Sequence, residues 1–171
     1  MGENKIIGNI EYYENEGLIT YKGVRYMILR PETIMTMYQN LRLKYGSNVD
    51  IHFFQGGFEG GRLSSEKYKD NFGMNETELI DFMLEMGGQI GWGKFELVKF
   101  DREDKILEVK VSNSAFVTEE NYTKFPVCHF IRGVMSGMAS VLFSSEIISK
   151  ETKCAAKGDG YCLFSIKAIK K

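Results

Sequence analysis

Residues 48–72 carry two glycine doublets, Gly56-Gly57 and Gly60-Gly61, inside a stretch whose apolar side chains Ile51, Phe54 and Phe58 recur at helical spacing. Each glycine weakens a helix by roughly 1 kcal/mol relative to alanine, so four of them need a reason in packing. On a helix they form two interleaved pairs four residues apart, Gly56/Gly60 and Gly57/Gly61, and a flat face bare of side chains. Another backbone or a ligand can come close there. The reading is a helix over 48–72, with tight helix packing and ligand cradling both open. Gly133 and Gly137 give a second close-approach face to a helix expected from Pro126 onward, whose apolar side holds Val127, Phe130, Ile131, Val134 and Met138.

The other elements follow from periodicity and punctuation. Ile6 to Tyr13, Leu18 to Tyr21 and Val24 to Leu29 are rich in β-branched and aromatic residues and read as short strands. Arg30-Pro31-Glu32 starts a helix that stops at Gly46, because proline suits the first helical position and an acid suits the positive end of the dipole. Asn75-Glu-Thr-Glu78 is a capping box for a helix ending before Gly91-Trp92-Gly93. Lys94 to Phe100 and Lys105 to Val111 read as a hairpin, and residues 112–124 as a loop. Glu146 to Ala156 and Tyr161 to Ile169 read as a last hairpin about Gly158-Asp159-Gly160.

The chain has 171 residues, 43% of them apolar, and a net charge of -1. That suits one domain with an ample core and argues against a dedicated nucleic-acid binder. No apolar run approaches the roughly 20 residues that cross a bilayer, and the N-terminus lacks a signal-peptide pattern, so a cytoplasmic location is expected. In a reducing compartment its three cysteines read as ligands or buried thiols rather than disulfides.

Those cysteines are the main chemical signature. In a hairpin centred on Gly158, Cys154 and Cys162 face each other, close enough to share one metal ion. Cys128 follows Pro126 and is expected in the first turn of a helix, where the dipole favours the thiolate. Glu151 lies three residues from Cys154, which on a regular strand puts it on the opposite face; it joins the cysteines only if the strand bulges or begins late. His129 is an alternative fourth ligand. Three inert buried thiols, a Cys154–Cys162 disulfide and a reactive Cys128 are the competing readings.

The run Glu151-x-x-Cys154-x3-Gly158-x3-Cys162, preceded by Cys128 and a glycine-containing helix, resembles the C-terminal signature of the 4-vinyl reductase domain family. The Cys128-to-Glu151 spacing also resembles that of the N-terminal sensor domains of bacterial aromatic-responsive transcription activators. Upstream, Tyr21-Lys-Gly23-Val-Arg25-Tyr and Arg30-Pro31 resemble the family's N-terminal strand and helix start. The resemblance implies a structural zinc held by Cys128, Glu151, Cys154 and Cys162. It implies an α/β (α+β) fold, an antiparallel sheet of about four strands with helices packed on it, of the nitric-oxide-sensing and Golgi-transport ligand-binding type. The expected layout is an N-terminal strand extension over 1–24 and a ligand-binding domain over 25–171, pairing as a homodimer around hydrophobic ligands in an apolar cavity.

The function this implies is binding of a small hydrophobic molecule, aromatic ones included, with zinc as a staple. A four-ligand site leaves no open position for water, which argues against hydrolysis at the metal and against an enzyme. Phe53, Phe54, Phe58, Trp92, Phe95, Phe130 and Met138 are pocket candidates, each equally suited to plain core. The second reading is a reductase of tetrapyrrole vinyl groups, as the family name suggests. Against it, Gly87-Gly88-Gln-Ile-Gly91-Trp-Gly93 follows a helix rather than a strand and is not a dinucleotide loop. A structural or tethering dimer is the third. The aromatic sensors continue into ATPase and DNA-binding domains, whereas this chain ends at Lys171, so action through a partner or as a carrier is expected, without direct nucleic-acid contact.

Overall fold

The computed structural model describes residues 2–118 and 123–169, so positions 119–122 of the loop expected over 112–124 lie outside the described residues. A small antiparallel sheet opens the chain, with β1 (Glu11–Tyr13), β2 (Leu18–Tyr21) and β3 (Val24–Tyr26) in that order. Lys22 and Gly23 both take positive φ (50° and 70°), the conformation a two-residue hairpin turn requires. The strands are shorter than their composition suggests. Ile7–Asn9 form a 3-10 turn, and Met27–Leu29 run on without a strand partner. This sheet is pinned to the rest by a 2.6 Å hydrogen bond between the Tyr26 and Tyr68 hydroxyls and by Lys67 Nζ donating to the Gly23 carbonyl at 2.7 Å.

α1 (Pro31–Tyr45) begins at its proline and ends at Gly46, which takes φ 68°. α2 (Asn48–Phe72) contains all four glycines of the doublets, and Gly73 in the left-handed region stops it. α3 (Glu76–Gln89) starts at the expected capping box. Asn75 Oδ1 accepts from the Glu78 N–H at 3.1 Å, and Glu78 Oε2 accepts from the Asn75 N–H at 2.9 Å.

β4 (Lys94–Asp101), β5 (Ile106–Ser112), α4 (His129–Phe143), β6 (Ile147–Lys153) and β7 (Cys162–Ala168) complete the chain. The four strands form one antiparallel sheet in the order β4-β5-β7-β6. Alternation sends Leu107, Val109, Val111, Phe164 and Ile166 to its inner face, where all are buried. α4 lies over β6 and β7, α3 packs on β4, and α2 packs on α4. Helix α4 is thus covered on both sides, which is why its sequence is apolar almost all round. It begins three residues later than Pro126: Cys128, at φ -84° and ψ 40°, is its N-cap and not part of its first turn.

The two helices with glycine pairs pack on each other. A Cβ added to Gly57 would overlap the Phe130 carbonyl, and one on Gly61 the Val134 carbonyl. From the other side, one on Gly133 would overlap the Phe54 carbonyl and one on Gly137 the Phe58 carbonyl. The partners ascend together, so α2 and α4 run parallel, backbone against backbone. Of the two readings of the doublets, Gly57 and Gly61 serve helix packing. Gly56 and Gly60 do not, since a Cβ at either meets nothing within 4 Å. Replacing Gly61 with Ala is therefore expected to destabilise the fold by about 1–3 kcal/mol or more, through overpacking. Gly60→Ala leaves the fold unharmed or stabilises its helix by up to about 1 kcal/mol. Thermal unfolding of the two variants checks this; equal effects would contradict the packing described.

Candidate metal centre

Four side chains from three segments converge at one end of the sheet. Cys128 caps α4, Glu151 and Cys154 lie at and just beyond the end of β6, and Cys162 opens β7. The β6–β7 register shifts between Glu151, opposite Phe164, and Lys153, opposite Leu163. This is a β-bulge, with Thr152 as the extra residue. It reverses the alternation: Glu151 and Cys154 are buried on the same side, while Thr152 and Lys153 face solvent. The bulge removes the strand-face objection to Glu151. The register then brings Cys154 and Cys162 opposite one another, but the chain leaves the ladder at Cys154 into a 3-10 turn, Ala155–Lys157. Gly158 and Gly160 complete the turn at φ 88° and 75°.

The ligand atoms of Cys128, Glu151, Cys154 and Cys162 lie within 4.8 Å of one another, and all four residues are buried. The Cys128 and Cys162 sulfurs are 3.5 Å apart, and the three cysteines are free thiols with no disulfide among them. Backbone amides organise the set. The Cys128 N–H donates to Glu151 Oε2 at 3.1 Å, the Ala155 N–H to Cys162 Sγ at 3.4 Å, and the Cys154 N–H to Asp159 Oδ2 at 2.8 Å. Ser114 Oγ lies 3.6 Å from Cys128 Sγ.

The electrostatics divide the four unevenly. Hydrogen bonds from Cys128 and Cys162 hold Cys154 well below the usual thiol range. The bonds to Cys154 and Cys162, with burial, push Cys128 up. The bond with Cys128 pulls Cys162 down, but its bond to Cys154 and its burial outweigh that and leave it raised. Burial, then the Cys154 charge, push the Glu151 carboxyl up to about 9. A buried, raised thiol does not suit the reactive-nucleophile reading of Cys128. Glu151 Oε1, in contrast, is buried with no hydrogen-bond partner. An orphaned carboxylate oxygen facing three thiols is the donor set of a closed metal site.

His129 does not join this set. Its Nε2 lies 3.4 Å from Asp50 Oδ2, in a second polar cluster at the paired N-termini of α2 and α4. There Asp50 Oδ1 accepts from the Tyr38 hydroxyl at 2.8 Å and from Arg42 Nε at 2.9 Å, and Arg42 also stacks on Phe125. Burial alone would raise Asp50, but the bonds from Arg42 and Tyr38 and the nearby His129 hold it below the usual carboxylate range. Burial lowers His129. Neither Asp50 nor Ser114 has a motif-like signal in the sequence; the proximity of each to its partner arises only from helix pairing or from the loop after β5.

The seven pocket candidates are not gathered into one place. Trp92 and Phe130 meet Phe116 in a cluster with centroids 5.6–5.7 Å apart, next to the metal centre through Ser114 and Cys128. Phe53 packs edge-on against Tyr38. Phe54 lies beside Phe58 along α2 and under the Arg132 guanidinium. Phe95 packs against Gly87, and Met138 is fully buried in α4. The largest cleft described, about 700 Å³, is polar, lies near Lys105 and Glu146 and touches none of the seven.

Residues 107–168, which hold all four ligands, match the model of the vinyl-4-reductase (V-4-R) domain, the family to which the sequence signature points. The protein MJ0745 of Methanocaldococcus jannaschii is 26% identical over 107 residues, covering 56% of this chain and 59% of that protein, so the chain spans about three fifths of that relative's length. The phenol-responsive sensory domain of the transcription activator PoxR, solved with phenol, has a TM-score of 0.77 at 17% identity, covering 95% of this chain and 86% of that one. A vinyl-4-reductase family protein from Methanocaldococcus jannaschii has a TM-score of 0.54 at 17% identity, covering 85% and 84%. The H-NOX domain from Shewanella oneidensis has a TM-score of 0.54 at 14% identity, covering 88% and 83%. The carboxy-terminal part of the chain is thus a domain of the vinyl-4-reductase type, and the whole shares the α+β fold of these sensor domains.

The Asp50 cluster gives a pH test. A depressed carboxyl stabilises the fold fully above the ordinary carboxylate pKa and loses that contribution as pH falls through its own lower value. Asp50→Ala is expected to be about 2 kcal/mol less stable than the natural chain at pH 7. The gap should shrink toward zero as the pH approaches about 2. Urea unfolding at both pH values measures it; a gap that persists in acid would contradict the charge-based account.

Proposed function

We propose that this chain is a zinc-stapled binding domain for a small hydrophobic molecule, aromatic ones included, working in the cytoplasm as a homodimeric sensor or carrier. The observation that carries the zinc reading is the buried cluster of three cysteines and a glutamate, with its unpartnered Glu151 Oε1. Three thiolates and one carboxylate suit zinc, whose ligands at about 2.0–2.3 Å in a tetrahedron stand about 3.3–3.8 Å apart. Zinc held there would act as a cross-link between α4 and the β6–β7 hairpin, with no position open for substrate. Among the described residues no helix is long and apolar enough to cross a membrane.

The ligand reading draws on the likeness in fold to a phenol-responsive domain and on the aromatic cluster beside the metal centre. Trp92, Phe116 and Phe130 would supply the apolar walls. Cys128 fixes the start of α4 two residues before Phe130, and Ser114 ties the Phe116 loop to Cys128. The metal would thereby set the spacing of the rings that meet the ligand.

Elemental analysis of the purified protein should find about one zinc per chain; a folded, metal-free protein would remove the staple. Cys154→Ser should lower thermal stability far more than His129→Ala, since only the first deletes a ligand. Equal losses would mean another ligand set. Because Cys128, Cys162 and Glu151 all have raised pKa values, zinc must displace their protons. Its apparent affinity, measured by chelator competition, should therefore climb steeply from about pH 6 to pH 9; a flat profile would count against this donor set. Native mass spectrometry of the purified chain should show an apolar organic molecule bound, whereas a flavin or nicotinamide would favour a reductase.

A further inference from the structure

Gly56 and Gly60 sit at solvent-exposed positions on α2, where a side chain would meet nothing within 4 Å. Nothing in the monomer explains two helix-weakening residues there. Gly57 and Gly61, one position further on, show what such a pair does in this fold: they let a second helix backbone settle directly on α2.

The surroundings of the bare pair are largely apolar. On α1, Met37, Leu41 and Tyr45 recur every four residues and are 50%, 36% and 54% exposed. They form one stripe beside the face that Met35, Tyr38 and Arg42 turn inward. α1 runs antiparallel to α2, with Tyr38 and Arg42 near Asp50 and Phe53. Helical geometry then puts the stripe on the flank away from α4, the same flank as Gly56, Gly60 and the half-exposed Leu63. The exposed segment Met27–Leu29 extends the patch. It leaves the Tyr26–Tyr68 pair on α2 and leads back to the start of α1, with Ile28 83% exposed. The charged residues at its border are already engaged: Glu59 pairs with Arg62, and Lys67 donates to the Gly23 carbonyl.

We infer that this α1–α2 face is where two copies of the chain meet, about a two-fold axis that places the Met37-Leu41-Tyr45 ridge of one copy over the Gly56/Gly60 floor of the other. Ridge and floor lie on one surface, as a self-complementary two-fold interface requires. Met27, Ile28, Leu29, Met37, Leu41, Tyr45 and Leu63 at these exposures approach the roughly 800 Å² per partner of a standard interface, and exceed what an isolated monomer leaves bare. The inference rests on the homodimer reading above and adds the surface.

Sedimentation equilibrium of the purified full chain should give about twice 19.6 kDa. Gly60→Leu and Leu41→Glu should each weaken self-association at least ten-fold while the helical circular-dichroism signal and zinc content stay unchanged. Lys150→Glu, on the open face of the four-stranded sheet, should leave the dimer intact. A monomeric natural chain, including one that binds phospholipid vesicles instead, overturns the dimer and this surface together. A dimer indifferent to both α1–α2 variants, or one broken by Lys150→Glu, overturns the surface alone. Zinc content and bound ligand are read separately and are untouched by either result.

Discussion

The parallel contact between α2 and α4 is the constraint on which the architecture rests. Two helices normally keep 8–10 Å between their axes because side chains fill the gap. Here Gly57, Gly61, Gly133 and Gly137 remove the side chains, and each carbonyl they face occupies the space a Cβ would need. The contact therefore fixes the two helices in register as well as in distance. α4 also lies on β6 and β7, so the same contact places α2 relative to the sheet and, through Tyr38, Phe53 and Asp50, places α1. The N-terminal sheet is held in turn by Tyr68 and Lys67 of α2.

The metal centre uses that placement. Cys128 reaches Cys162 because α4 starts where β7 starts, and Glu151 reaches the Cys128 amide because β6 bulges at Thr152. Without the bulge, strict alternation would bury Lys153 and expose Cys154 once Glu151 was buried. One extra residue in one strand thus decides which four side chains meet.

Much of this was legible in the chain, for physical reasons that differ by element. The α3 start, the α1 start and the two sheets follow from local chemistry: a capping box, a proline at the first helical position, alternating strands around polar turns. The α2 helix was legible despite its glycines because its apolar spacing persisted. What local chemistry could not show was which glycine pair faces α4, since 56/60 and 57/61 differ by one residue and only the partner helix tells them apart. The Cys128 position suffered in a similar way. Proline at 126 marks the approach of a helix, but Val127 and Cys128 turn first, and the cysteine ends as the N-cap. The four ligands were legible as a set through family resemblance, while Glu151 on geometry alone awaited a bulge that alternation cannot predict. Ser114 and the Tyr38–Arg42–Asp50–His129 cluster carry no spacing signal because their partners are far away in sequence. The aromatic candidates were legible as apolar bulk and no further, which is why they scatter across several packing sites.

Parallel packing also creates an electrostatic problem that both polar clusters answer. It sets the N-termini of α2 and α4 side by side, two positive dipole ends with unpaired amides. Neither helix has a side-chain N-cap of its own. Asp50 supplies the charge in the first turn of α2, and its bonds to Tyr38 and Arg42 bring α1 across the gap. At α4 the Cys128 amide donates to Glu151, close to the lowered Cys154 thiol. His129 and Arg132 lie near these acids: His129 feels Asp50, and Arg132 feels both Glu151 and Asp50. The charge gathered around Cys128 thus serves the helix end as well as a metal. A cation bound there would draw Glu151 toward itself and loosen its hold on the Cys128 amide, so occupancy of the centre would be felt at the start of α4, two residues from Phe130 and the aromatic cluster.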